Sequence, residues 1–366
     1  MSIELAVDRL IDGQMVAYFA PTYKDAYNWW QEIKLFAYNL ISSKDEQVRQ
    51  LKTITGGTLD VWSMDDPDSG RGRKYHRVIV DECEKAGKFE QSWLRAIRPT
   101  LADFQGDAWF MSTPKFGNTY FKKIAQNSTK YDNWTSWTFT TYDNPHIKKE
   151  EVDEARHQLD DLTFRCEYLA EDVDLTNNPY FYAFDQTRHI QPCEFTSDGY
   201  LYISFDFNVD PGIAVICQEQ MLPCGEFGTG IIGEVWIDRN SNTPAVCRKL
   251  IQDWGTHEGR VTCYGDATGG ARGSAKVEGS DWDLIKATLN PHFGQRISYD
   301  VPNANPKERS RVNAVNSRLM SATGKIKMMV DGAKAPHVVK DFDGVVLLKG
   351  GSGELDKKAT PALTHI

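Results

Sequence analysis

No stretch of this 366-residue chain approaches the roughly 20 consecutive apolar residues that a membrane span needs. Its first residues, Met1-Ser2-Ile3-Glu4-Leu5-Ala6, lack the basic-then-apolar order of a secretory leader, so a cytoplasmic protein with no membrane attachment is expected. Cysteine is sparse and unpaired. The seven residues at 83, 166, 193, 217, 224, 247 and 263 have neither the even count of a disulfide framework nor zinc-type spacing, and read as reduced thiols. Positive charge is in deficit, with a formal net charge of −9. That argues against a histone-like basic coat, yet a local basic groove on an acidic protein still binds phosphates. Repeats and low-complexity tracts are missing. So is any Gly-x-x-x-x-Gly-Lys-Ser/Thr run, the loop whose backbone and lysine cradle nucleotide phosphates.

What is present suits a soluble globular protein of two domains: 40% hydrophobic and 25% charged residues over 41.5 kDa. The first region alternates helical patterns with short, nearly unbroken apolar runs at residues 15–20 (MVAYFA), 77–80 (RVIV) and 108–111 (AWFM). Strands buried on both faces of a helix-covered parallel sheet look like that. Residues 148–169 read as one charged helix that covers the sheet or leads out of the domain. The second region opens with an alternating strand at 200–208, a Val-Asp-Pro-Gly turn, a strand at 213–217 and another at 231–237. An antiparallel meander is expected, then a helix over 244–254 and a fourth strand over 260–265 ending at Asp266. That is the opening order of ribonuclease-H-like folds. The expected domains are 1–175 and 197–366, with a linker over 176–196.

The sharpest local signal is His76-Arg77-Val78-Ile79-Val80-Asp81-Glu82, an apolar strand ending in two acids, the form of a Walker B element. At the C-terminal edge of a parallel sheet, Asp81 would hold Mg²⁺ through its coordinated waters and Glu82 would orient or deprotonate the attacking water. Two solvated acids after a core strand are the plain alternative. Phe110-Met111-Ser112-Thr113-Pro114 is a second strand ending in polar residues, where Ser112 and Thr113 could bond a water or phosphate; an ordinary strand exit stays open. Arg71 and Arg73, set among glycines in Ser69-Gly70-Arg71-Gly72-Arg73, suit a phosphate or DNA contact as well as they suit a surface loop.

In the second region Tyr202, Ser204, Asp206 and Asn208 share one strand face, opposite Leu201, Ile203, Phe205 and Phe207. An aspartate inside an apolar strand is costly unless paired or metal-bound, which makes Asp206 the leading metal ligand. Asp210 assists or simply stabilises its turn. If the first and fourth strands are neighbours, Asp206 and Asp266 meet, and divalent cations between them would relieve their repulsion and promote phosphodiester hydrolysis. Otherwise Asp266 caps a following helix. Residues 306–322 read as a helix with Val312, Val315 and Leu319 inward; Arg311 and Arg318, seven apart, could contact phosphates with Lys307, Lys325 and Lys327, or line a solvated face.

With these residues in hand, the chain resembles the large terminase subunit of tailed bacteriophages over essentially its whole length. The resemblance is carried by Ala20-Pro21-Thr22-Tyr23-Lys24, by residues 69–73 leading into 78–82, and by Ser112-Thr113-Pro114-Lys115. Asp143-Asn144-Pro145, residues 164–172 (FRCEYLAED) and 205–211 complete it. It implies an α/β architecture, a P-loop-type ATPase sheet lacking its P-loop followed by a ribonuclease-H-like mixed-sheet nuclease. It further implies an ATP-driven motor that moves double-stranded DNA through a portal and a nuclease that cuts concatemers. Asp81 and Glu82 then match the Walker B pair, residues 112–114 the coupling motif, and Asp206 and Asp266 the first two nuclease acids. Mg²⁺ or Mn²⁺ and ATP are the implied cofactors. The implied partners are DNA, a portal protein, a small terminase subunit and further copies in a ring, in the host cytoplasm. Two departures set further expectations. The P-loop is absent, and the family's last nuclease acid would fall just beyond Ile366, with Asp341, Asp343 and Asp356 as stand-ins. A chain truncated at both ends, without ATP hydrolysis and with weak or no cleavage, is therefore expected. The competing readings are a helicase-like translocase, a motor-less resolvase- or transposase-type nuclease, and an inactive DNA-binding fragment.

Overall fold

The computed structural model describes residues 1–115, 119–173, 179–207, 211–267, 280–347 and Leu355. It divides into two compact units, Met1–Phe139 with Ala170–Asp172, and Thr140–Leu169 with Val173–Ile366. No helix among the described residues is long and apolar enough to cross a membrane.

The first unit is built on β1 (Met15–Ala20), β2 (Ile41–Asp45), β3 (Gln50–Thr53), β4 (Thr58–Ser63), β5 (Arg77–Val80) and β6 (Asp107–Phe110), in the order β2-β3-β4-β1-β5-β6. β4, β1, β5 and β6 run parallel, and β2 and β3 add an antiparallel hairpin to the β4 side. The unbroken apolar sequence of β1 follows from its position. Val16, Tyr18 and Ala20 enter one core with Trp29, Trp30 and Ile33 of the helix Tyr23–Phe36, while Ala17 and Phe19 enter the opposite core with Phe89, Trp93 and Ile97. That helix starts where Thr22 accepts the Asp25 N–H at 3.2 Å, and buries Ala26, Trp29, Trp30 and Ile33 at helical spacing. At the opposite edge Arg77, with only 6% of its side chain exposed, grips Asp107 through two nitrogens at 2.7 and 2.8 Å. It also reaches the Leu5 carbonyl and Asp8, which ties the helix Ser2–Ile11 to the sheet.

In the second unit β7 (Leu201–Asp206), β8 (Gly212–Met221) and β9 (Phe227–Ile237) form the expected antiparallel meander. The expected helix is Thr243–Trp254, and the fourth strand, β10 (Val261–Gly265), returns parallel to β7. With β11 (Ile297–Asp300) and β12 (Met328–Val330) the order is β11-β10-β7-β8-β9-β12. Leu201, Ile203 and Phe205 face the core shared with the helices Thr243–Trp254 and Asp281–Phe293. Val215, Cys217 and Ile231 face the helices Glu308–Leu319 and Pro336–Gly344.

Three expectations are corrected. Residues 148–169 form two helices, Lys149–Gln158 and Asp161–Glu167, because the buried Asp160 breaks the run and caps the second by accepting the Thr163 N–H at 2.9 Å. Both helices belong to the second unit rather than to a first domain ending at 175, and the Leu159 carbonyl accepts the Ala322 N–H at 2.7 Å. Much of the expected linker is core. Tyr180, Phe181 and Ala183 are buried beside Val338 and Phe342, and the buried Asn316 bonds the Tyr180 carbonyl and the Ala183 N–H.

Candidate functional site

Two carboxylate pairs stand at sheet edges, one in each unit. In the first unit β5 ends at Val80, and the Asp81 N–H continues the ladder to the Phe19 carbonyl. This brings Asp81 to the C-terminal edge beside β1, where its Oδ2 accepts the Tyr18 hydroxyl at 3.0 Å and its Oδ1 accepts the Glu82 N–H at 3.0 Å. Burial and the neighbouring Asp81 carboxylate push the Tyr18 hydroxyl far up, so Tyr18 remains a donor. Glu82 holds a left-handed backbone conformation, φ 48°, which costs a non-glycine residue about 1–2 kcal/mol. Its carboxyl is raised by partial desolvation and then by Asp81, although the side chain reaches solvent. Lys85 pairs with Asp25, in the first turn of the helix after β1, at 2.9 Å.

The strand exit after β6 is fastened to this turn. Ser112 Oγ accepts the Glu84 N–H at 3.1 Å, Thr119 donates to the Glu84 carboxylate, and Lys115 donates to its carbonyl. Thr113 is exposed. Ser112 therefore serves the loop that carries Glu82. Arg71 pairs with Asp68 at 3.2 Å and Arg73 lies 6.0 Å from the Trp62 ring; among the described residues neither is bonded to Asp81 or Glu82. The loop is nonetheless pressed against β1, since a Cβ on Gly70 (φ 78°) would meet the Phe19 ring at 2.8 Å.

In the second unit the strands expected to be neighbours are neighbours. Parallel pairing sets Phe205 opposite Gly265, so Asp206 and Asp266 leave adjacent strands at the same edge, in register. Glycine at 265 avoids a crowded contact, since a Cβ there would stand 3.0 Å from the Trp282 ring and 3.1 Å from the Phe205 carbonyl oxygen. The Asp266 carbonyl accepts the Trp282 indole N–H at 3.2 Å, and Asn305 accepts the Ala267 N–H at 2.7 Å. Arg311 Nη1 lies 3.5 Å from Asp266 Oδ1. Arg318 is turned away, holding Glu219 through both carboxylate oxygens at 2.8 and 3.0 Å as well as the Thr229 hydroxyl.

Of the stand-in acids, Asp341 is buried and Asp343 exposed on the helix Pro336–Gly344. Asn208, Asp210 and Asp356 lie outside the described residues. Among the described residues no group of three or more His, Cys, Asp or Glu side chains is set to hold a metal. The two-carboxylate donor set at 206 and 266 still fits a divalent cation chemically, being hard oxygen ligands at one strand edge.

Sequence reasoning missed Tyr18, Asp25, Lys85 and Glu84, and in the second unit Glu234. The Glu234 carboxylate accepts His337 Nδ1 at 2.5 Å and the N–H groups that open the helix Pro336–Gly344, while Trp236 stacks on His337 at 3.8 Å. A tyrosine hydroxyl inside an otherwise wholly apolar strand, and Thr22 three residues before Asp25, were the only signals on offer.

Comparison with known proteins agrees with the resemblance read from the sequence. No protein-family model matches the chain. It is similar to the terminase large subunit of Escherichia phage T5, 28% identical over 176 residues, 47% of this chain and 40% of that protein; the match thus spans less than half of the relative's length. It is also similar in structure to the large terminase of a thermophilic bacteriophage solved in complex with ATP-gamma-S. There the TM-score is 0.54 at 12% identity, covering 97% of this chain and 85% of the other. The large terminase of the same thermophilic phage in complex with ADP aligns at a TM-score of 0.50 and 15% identity, over 96% and 81%. At such identities the likeness shows the fold. Two six-stranded, mostly parallel mixed α/β sheets follow one another along the chain as in that large terminase.

Proposed function

We propose that this chain carries the motor and nuclease halves of a phage large terminase, a protein for ATP-driven translocation of double-stranded DNA and metal-dependent cutting of concatemers, and that this chain by itself, with no Gly-x-x-x-x-Gly-Lys-Ser/Thr run, is impaired in both activities. The single observation that carries the reading is the register of β7 and β10, which delivers two aspartates from distant parts of the sequence to one strand edge. The Asp-Glu edge of the first unit and the likeness to large terminases support the motor half.

Asp206 and Asp266 would hold Mg²⁺ or Mn²⁺, which when bound supplies an activated water and stabilises the leaving oxygen in phosphodiester hydrolysis. The chain's own residues fix the geometry. Gly265 leaves room for the Trp282 ring, Trp282 and Asn305 anchor the turn after β10, and Arg311 adds positive charge beside Asp266. In the first unit Asp81 would hold Mg²⁺ of ATP and Glu82, whose carboxyl takes up a proton more readily than usual, would orient or deprotonate water. Tyr18 fixes the Asp81 carboxylate for that role. DNA, a portal protein, a small terminase subunit and further copies in a ring belong to the same proposal, with the host cytoplasm as the place of action.

Plasmid nicking in Mn²⁺ tests it. The chain should nick weakly, and Asp206→Ala should abolish whatever Mn²⁺-dependent nicking the chain shows. Mn²⁺-dependent nicking at the same rate in Asp206→Ala as in the parent chain would overturn the nuclease assignment.

A further inference from the structure

The helix Glu308–Leu319 carries two arginines with opposite habits. Arg318 is committed to the fold, since it closes on both oxygens of Glu219 and on the Thr229 hydroxyl. Arg311, two turns earlier, touches a single oxygen of Asp266 at 3.5 Å, well beyond the roughly 2.7–2.9 Å of a tight charge-assisted bond, and both side chains are about half exposed, 50% and 48%. Its backbone is nevertheless well placed. Asn305, just ahead of the helix, accepts the Ala267 N–H at 2.7 Å and pins this segment to the end of β10. The guanidinium can therefore leave Asp266 by rotating its own side chain while the helix stays where it is. It cannot leave by losing its proton, because arginine stays charged.

Asp206 and Asp266 leave adjacent strands at one edge, and a cation beside them eases the repulsion between two carboxylates. We infer that Arg311 is that resident cation: a positioning residue that neutralises Asp266 in the metal-free protein, is displaced when a divalent cation takes the carboxylate, and is then offered to a DNA phosphate. The inference rests on the reading of Asp206 and Asp266 as metal ligands. It adds that metal and arginine compete for the same oxygen, which couples metal loading to the grip on DNA.

Calorimetric titration with Mn²⁺ and salt-dependent binding to a short DNA duplex test it together, on the parent chain, Arg311→Gln, Arg311→Lys and Asp206→Asn. Arg311→Gln should bind Mn²⁺ about two- to fivefold more tightly, the scale of an exposed ion pair, with the gain shrinking at high salt. With Mn²⁺ present, its DNA affinity should show a salt slope smaller by about one, and Arg311→Lys should restore that slope. Unchanged or weaker Mn²⁺ binding by Arg311→Gln, or an unchanged salt slope, would overturn the inference. Asp206→Asn separates the two readings. If it binds Mn²⁺ as the parent does, the metal assignment itself fails, whatever Arg311→Gln shows. Thermal melting confirms that each variant is folded.

Discussion

The two acid pairs solve the same electrostatic problem differently. Asp81 and Glu82 are neighbours in the chain, delivered by one strand, and their crowding is eased by a hydroxyl that donates to Asp81 and by a Glu82 carboxyl that holds its proton more readily. Asp206 and Asp266 come from two strands brought together only by the fold, and a half-exposed arginine stands beside Asp266. A pair on one strand is a local feature of sequence. A pair across two strands depends on the register of the whole sheet, and a single slip would send one carboxylate to the opposite face.

The contrast is sharpest if the scaffolds can be broken separately. Arg77→Met removes the buried partner of Asp107 and frees the carbonyl and carboxylate it holds on the helix Ser2–Ile11. Because Asp107 keeps Arg9 and some solvent, we expect a loss of about 2–3 kcal/mol, at the lower end for a broken buried pair. In calorimetry that loss should lower the transition of the first unit and leave the second unit's transition in place. A uniform shift of both would mean that the units do not unfold separately.

A smaller effect tests the proton-eased half of the comparison. Glu82 has a raised folded-state affinity for protons, so its contribution to stability is fully present below the ordinary carboxylate range and is lost as pH rises through its folded value. Glu82→Gln should therefore raise the melting temperature of the first unit near neutral pH, by no more than about 2 °C, and by less in mild acid. Asp107 has the opposite sign: Arg77 and Arg9 lower its carboxyl, and its stabilising contribution is present above the ordinary range and lost as pH falls. A Glu82→Gln gain that grew with acid would contradict the assignment of the raised group.

Much of this is legible in the sequence where one residue's neighbours along the chain decide its environment. The continuous apolar runs of β1 and β5, the acids closing β5, and the meander-helix-strand order leading to Asp266 are all of that kind. Residues 41–63 are not. β2 is a polar, largely exposed edge strand without alternation, and β4 hides a buried aspartate, Asp60, satisfied by the Gln50 amide and the Tyr75 hydroxyl at 2.6 Å each. The core role of Tyr180 and Phe181 is equally hidden, because their partners Val338 and Phe342 lie far along the chain. Helical periodicity over 148–169 is real, but a buried Asp160 overrides it.

Adding Mn²⁺ to the isotopically labelled chain and following amide broadening by NMR would examine both edges in one titration. The account predicts early, steep broadening around Phe205, Asp206, Gly265 and Asp266, followed at higher Mn²⁺ by residues 80–82. Broadening spread evenly over the acidic surface, with the ends of β7 and β10 no more affected than elsewhere, would contradict it.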